Sequence, residues 1–382
     1  MRGTLVRVLF ANNYPTDILC REAVEGRFPA HHVWGVTDLL RNGFEVECLP
    51  CLRWERLERF GRRLRLGRWT DQSLRAFLTQ RRYDVYYTAN ADTALWLGLL
   101  RSLGLFRRPI VGLFHHPLSR TRTMRRALSG FDRVVCLSDA LEQQFARTFT
   151  FRPSQLLTLP WGIDLAFFDA RRASCPDIGV YFVSAGKSGR DFDTLVQAFQ
   201  GIPARLRIFC SGNAAPRAAP ENVTVSFAHA EQCDGNLSFA QLTREYESAF
   251  AVCVPLTVPR DRFMPMIGLT SLLDAMAFGK PTIITRNPLL QIDAERERIG
   301  LCVETGDVEG WRRAIAFLRR NPDEAAAMGW RARRLCEDRF ALPQFSKSLA
   351  AILRAAVGAD RAPLPSSPGA RRLAATEPRQ TV

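Results

Sequence analysis

Short apolar runs alternate with amphipathic stretches along most of the chain. Residues 5–11, 44–49, 83–88 and 109–117 read as strands of a first half, and the stretch 131–141 closes its core. Residues 179–186, 204–213, 223–227 and 250–255, with Ile283 and Ile284, read as strands of a second. Between them, helical spacing takes over. Val33, Val36, Leu39 and Leu40 recur on one face before Asn42-Gly43 stops the helix, and Phe44 then opens a strand. This strand, helix, glycine, strand order is a βαβ unit, and its repetition predicts an α/β protein with parallel sheets. At 382 residues the chain is too long for one core and predicts two domains and a tail.

The stretch from Gly268 to Thr285 carries the clearest chemistry. A loop with Gly268 leads into a helix over about 270–277, with Leu269, Leu272, Leu273 and Met276 on its inward face, and Gly279 stops it. The helix N-terminus offers unpaired N–H groups and positive dipole to a diphosphate. Asp274, expected at the pocket side, can accept hydrogen bonds from a ribose. A second glycine turn, Gly186-Lys-Ser-Gly-Arg190, follows a strand and puts Lys187 and Arg190 where two cations clamp a diphosphate leaving group. Asn12 and Asn13 form a loop at the carboxyl end of the first strand, where open α/β sheets bind ligands. His115 and His116 end another strand, where a histidine can donate to a sugar hydroxyl or accept a proton. Strand register favours His115, with His116 the alternative. His31, His32 and His229 read as structural.

The 268–285 stretch resembles the signature of the group 1, family 4 glycosyltransferases, retaining enzymes of the GT-B fold. These usually read Glu-Gly-x-Gly-Leu-x-x-x-Glu-Ala-Met-Ala-x-Gly-x-Pro. Asp274 stands at the second glutamate, which the resemblance assigns to the nucleotide ribose. Met266 stands at the first, which holds the donor sugar in the family. Residues 157–168 resemble the family's interdomain linker at Pro160, Gly162, Asp164 and Phe168, and the turn after residue 210 matches at Gly212. The family's histidine after the 109–117 strand lies against the donor sugar. The resemblance runs from about residue 105 to 350 and is weakest in the first hundred.

It implies two Rossmann-like domains facing across a cleft: an acceptor domain over 1–165 and a donor domain over 166–340. A helix over 341–357 would cross back to the first domain, ahead of a disordered tail over 358–382. The implied donor set is Gly186, Lys187, Arg190, Gly212, Met266, Gly268, Leu269, Thr270 and Asp274. His115, His116, Lys187 and Arg190 carry catalysis, and Asn12 and Asn13 form the acceptor-side loop. The implied reaction moves a sugar from a nucleotide-diphosphate sugar to a glycan or lipid-linked acceptor, with retention, no metal and no cofactor. The alternative is a GT-B protein that binds nucleotide sugar and has lost catalysis, with Met266 as its support.

Net charge is +15, which favours an anionic partner. Much of it is arginine between residues 53 and 82, interleaved with Trp54, Leu57, Phe60 and Leu64 on one face of a helix. Such a helix can lie on an acidic membrane surface or pack on its own sheet. No nucleic-acid module is recognisable, and no nucleic acid is expected as a partner. No apolar run is long enough to span a bilayer. The first residues read as a strand rather than a secretory segment, so a cytoplasmic location is expected, peripheral to the membrane if the basic helix docks. Ten cysteines lie scattered, as reduced thiols do, and Cys48-Leu-Pro-Cys51 reads as packing at a strand end.

Overall fold

The computed structural model describes residues 5–63, 69–172, 180–227, 239–258 and 267–358. The tail from 359, Met266, His229 and the segment 64–68 lie outside the described residues. Two six-stranded parallel sheets form the core. The first runs β2-β1-β3-β4-β5-β6, built from β1 (Val6–Ala11), β2 (Phe44–Cys48), β3 (Val85–Thr88), β4 (Ile110–Phe114), β5 (Arg133–Cys136) and β6 (Leu156–Thr158). The second runs β12-β11-β10-β7-β8-β9, from β7 (Tyr181–Gly186), β8 (Arg205–Cys210), β9 (Val223–Phe227), β10 (Ala251–Val254), β11 (Thr282–Thr285) and β12 (Gly300–Val303). The inner strands β3, β4, β10 and β11 are buried at every residue. Helices cover both faces, which is why these strands read as continuous apolar runs rather than alternating ones.

The strand order fixes where ligands can sit. In each sheet the chain starts near the middle and later reverses direction, at β1/β3 in the first and β7/β10 in the second. Crevices open at the carboxyl ends of strands flanking such a reversal. The loop with Asn12 and Asn13 leaves β1, and the turn carrying Lys187 and Arg190 leaves β7. That second turn is zipped to the end of β10: Thr257 N donates to Gly189 O at 3.0 Å and Asp191 N to Pro255 O at 3.3 Å.

Two contacts tie the chain's end to its beginning. The linker after β6 pairs with the segment leading into the helix Leu342–Val357, Ile163 N donating to Phe340 O and Leu342 N to Ile163 O. A Cβ on Gly162 would lie 2.8 Å from Phe345 Cβ and 2.9 Å from Leu342 Cα, so only glycine permits this crossing. The helix then packs on Val36–Arg41 and on β3 and β4, with Ser346 Oγ donating to Asp38 Oδ2 at 3.0 Å.

Two features depart from the sequence reading. A helix at Thr16–Val24 follows the Asn12 loop, where no helix was expected. Its exposed Ile18 and Val24 blur the helical pattern. The arginine-rich segment is not one helix with its apolar face inward. It forms Glu55–Arg63 and Thr70–Thr79, and Trp69 before the second has φ 70°. Glu58 turns inward and accepts from Trp69 N (2.8 Å) and Asp71 N (3.3 Å), while Arg75 and Asp71 form a buried ion pair at 2.7 Å. Trp54 (43% exposed) and Phe60 (57%) are left facing solvent among the arginines.

Candidate functional site

The signature helix, Leu269–Ala277, is entered through Gly268 at φ 91°, a conformation that favours glycine. No side chain caps this N-terminus, so its amides remain available to an anion. Arg190 lies against its first turn. The guanidinium donates to Ser271 Oγ at 2.9 Å and to Ala185 O at 3.2 Å. It crosses directly over Gly186, where a Cβ would fall 2.3 Å from Arg190 Nε. Burial lowers the Arg190 pKa from the usual arginine range, and no carboxylate pairs with it among the described residues. A half-buried guanidinium held by neutral oxygens beside a helix N-terminus suits an anionic ligand.

The other expected donor residues divide into groups. Lys187 is exposed on the same turn, and its carbonyl accepts from Ser211 Oγ at 2.9 Å, which holds the Gly212 turn alongside. Gly212 is exposed, with open space where a Cβ would be. Leu269 is buried and packs in the core, while Thr270 is half-buried.

Asp274 departs from its expected place. It is only 6% exposed, and it faces the first domain instead of an open pocket. Its Oδ1 has no hydrogen-bond partner and lies 3.7 Å from His31 Nε2, which is also unpartnered. Burial pushes the Asp274 pKa up to about 8. His31 belongs to the short 3₁₀ turn Ala30–Val33, so the residue read as structural reaches across the domain boundary. Burial, with His32 beside it, holds its pKa well below 6.5, and burial alone lowers His32 to about 4.

Ligand-type atoms of His31, His32 and Asp274 all lie within 4.8 Å of one another. A zinc-like ion accepts such a donor set, but the hydrogen bonding runs against it. Asp164 N donates to His31 Nδ1 at 3.4 Å, which leaves the proton on Nε2, the atom facing the carboxylate. The arrangement suits a proton held between neutral partners better than a metal.

Aromatic rings extend this contact into the first domain. His31 meets Trp161 edge-on at 5.4 Å, Trp161 stacks on Trp34 at 4.6 Å and 17°, and Trp34 stacks on His115 at 5.5 Å and 22°. Trp161 is fixed by Gln291 of the second domain, its N–H donating to Oε1 at 2.9 Å and its carbonyl accepting from Nε2 at 3.3 Å. Trp34 Nε1 donates to Tyr14 OH, which donates to His32 O, both at 2.6 Å. His115 is half-buried, its Nδ1 is unpartnered, and burial together with His116 lowers its pKa to about 3. His116 is exposed, its ring 4.3 Å from that of His115. Asn12 is buried, its carbonyl accepting from Gln72 Nε2 at 3.0 Å, and Asn13 is exposed.

The architecture has known counterparts. Sucrose-phosphate synthase from Thermosynechococcus elongatus superposes with a TM-score of 0.66 at 16% identity, over 93% of this chain and all of that one. HepE of Anabaena, solved with UDP and glucose, superposes at 0.62 and 15% identity, over 92% of this chain and all of that one. The chain has the GT-B fold of the glycosyltransferases. Within that GT-B chain, residues 17–167 match the sequence profile of Glycosyltransferase Family 4. The match takes in much of the first hundred residues, where the motifs carried least. The D-inositol 3-phosphate glycosyltransferase of Saccharomonospora viridis is 26% identical over 270 residues, 64% of this chain. This chain spans 61% of the length of that relative.

Sequence reasoning missed Trp34, Trp161, Ser271, Gln291 and the place of His31 against Asp274. Only Trp161 carried a usable signal, as a departure within the linker motif.

Proposed function

We propose that this chain transfers a sugar from a nucleotide-diphosphate sugar to a glycan or lipid-linked acceptor, with retention of configuration. The observation that carries the reading is Arg190, half-buried against the uncapped N-terminus of the signature helix with no acidic partner among the described residues. There it neutralises the departing diphosphate together with Lys187 and the amides after Gly268, charge stabilisation that a metal supplies in other transferases. Asp274 takes the nucleotide ribose once the His31 contact parts, and His115 faces the sugar from the first domain. The UDP and glucose bound by HepE and the acceptor in the inositol relative's name support this class of donor and reaction. A cytoplasmic location follows from the donor class, and no helix among the described residues is long and apolar enough to cross a membrane.

Thermal shift against UDP-, GDP- and ADP-sugars identifies the donor, because a ligand of the folded state raises its melting point. Arg190→Ala is expected to slow turnover of that donor by about 100-fold, the typical cost of one charge-stabilising donor. An unchanged rate would defeat the assignment. A second reading, nucleotide-sugar binding without transfer, is favoured by the burial of Asp274 against His31. Donor-induced stabilisation with neither transfer nor hydrolysis would establish it.

A further inference from the structure

Cys48 ends β2 and pairs in register with Phe10, next to the point where β1 runs into the Asn12 loop. Its sulfur does not follow the Cys48-Leu-Pro-Cys51 spacing. It lies 3.5 Å from Cys20 Sγ, on the helix Thr16–Val24 that follows that loop. Both thiols are half-buried, so a solvent-borne oxidant can reach them. A disulfide bond needs about 2.05 Å between sulfurs, which leaves only about 1.5 Å of travel, within reach of side-chain rotation.

We propose that Cys20 and Cys48 form a reversible thiol–disulfide pair that takes small-molecule disulfides of the glutathione class. A thiolate of the pair attacks glutathione disulfide, forming a mixed disulfide and releasing one glutathione thiolate. The second protein thiol, losing its proton, attacks the protein sulfur of that mixed disulfide and expels the second glutathione. The protein loses two electrons and two protons, and one glutathione disulfide becomes two glutathiones. The net reaction needs no other oxidant. The hydrogen bond it shares with Cys20, with burial second, holds the Cys48 thiol well above its usual range, so exchange is slow near neutrality and quickens with pH. The charges facing Cys48 are the acidic Asp17 and Glu47, which raise its thiol further, and only the net positive charge of the chain as a whole favours approach of an anionic disulfide.

The bond would fasten the Thr16–Val24 helix to the end of β2. Tyr14 lies in the loop between, close enough to both thiols to feel their charge, and its hydroxyl holds His32 and Trp34. Oxidation therefore stiffens the loop beneath the histidine–tryptophan column. This inference stands independently of the transferase reading.

The full chain is incubated with glutathione disulfide at pH 8, alkylated and digested without reductant. A Cys20–Cys48 cross-linked peptide is expected, with loss of two titratable thiols, a melting temperature raised by a few degrees and full reversal by dithiothreitol. Cys51→Ser should keep the cross-link, whereas Cys48→Ser and Cys20→Ser should lose it. A Cys48–Cys51 link, glutathione retained as a stable adduct, or no loss of thiols at Cys20 and Cys48 in the wild-type chain overturns the proposal. The wild-type peptide map decides even if a serine variant fails to fold.

Discussion

Asp274 and His31 meet across the two domains, and both are pushed toward neutrality by the same absence of water. Their effects on stability have opposite signs. Asp274 titrates near 8 in the fold against about 3.8 in a free chain, so its contribution is fully present below about pH 4 and is lost as pH rises toward 8. His32 and His115, at about 4 and about 3 against 6.5, contribute above about pH 6.5 and lose that contribution as pH falls. Asp274→Asn should remove only the first slope. Between pH 5 and pH 8 the variant should gain on the wild-type chain by at least about 1 kcal/mol in urea unfolding, roughly one pKa unit's worth. A difference that stays constant with pH would mean that the carboxyl does not change its protonation in the fold. At this scale, legibility followed locality. Gly268 and Arg190 announce themselves through glycine punctuation and a charge in a short turn. The facing of Asp274 and His31 joins residues far apart in sequence, and nothing in either neighbourhood encodes it.

Among the elements, inner strands such as β3, β4, β10 and β11 were legible because burial on both faces writes them as uninterrupted apolar runs, whereas the short, half-buried β6 overlaps the stretch read as linker. The Thr16–Val24 helix was hidden, since part of its apolar content faces solvent. The arginine-rich segment misled for a related reason. Its apolar residues keep helical spacing, yet the inward positions belong to Glu58 and Gly61, because a carboxylate there satisfies the backbone N–H groups of Trp69 and Asp71. Gly162 was legible as part of a linker motif, while its physical role emerges only from the crossing with the Leu342–Val357 helix. Gly162→Ala should destabilise the chain by about 1–3 kcal/mol, since the new methyl meets backbone as well as side chain. Urea unfolding would show it as a lower midpoint. An unaltered midpoint would mean that the two segments separate without cost.

The whole molecule presents a basic surface with aromatic residues on it. Trp54 and Phe60 stand exposed between Arg53, Arg56, Arg59, Arg62 and Arg63 on the first domain. Aromatic side chains suit a bilayer interface, and each nearby arginine adds about 1 kcal/mol toward acidic lipid. The chain should therefore sediment with vesicles containing phosphatidylserine, release them as salt rises, and ignore neutral vesicles. Trp54→Ala with Phe60→Ala should weaken the binding about tenfold or more. Equal binding to neutral and acidic vesicles would refute the membrane reading.

The crossing of the last helix onto the first sheet also sets an order of events during synthesis. The strands of the first domain leave the ribosome well before Leu342–Val357, the helix that covers β3 and β4. At about 5–20 residues per second the intervening chain takes on the order of 10–40 s to make. Until then the amino-terminal half carries an uncovered apolar face, and the nascent protein is at its most vulnerable to misassociation or chaperone capture while its second domain is still being translated.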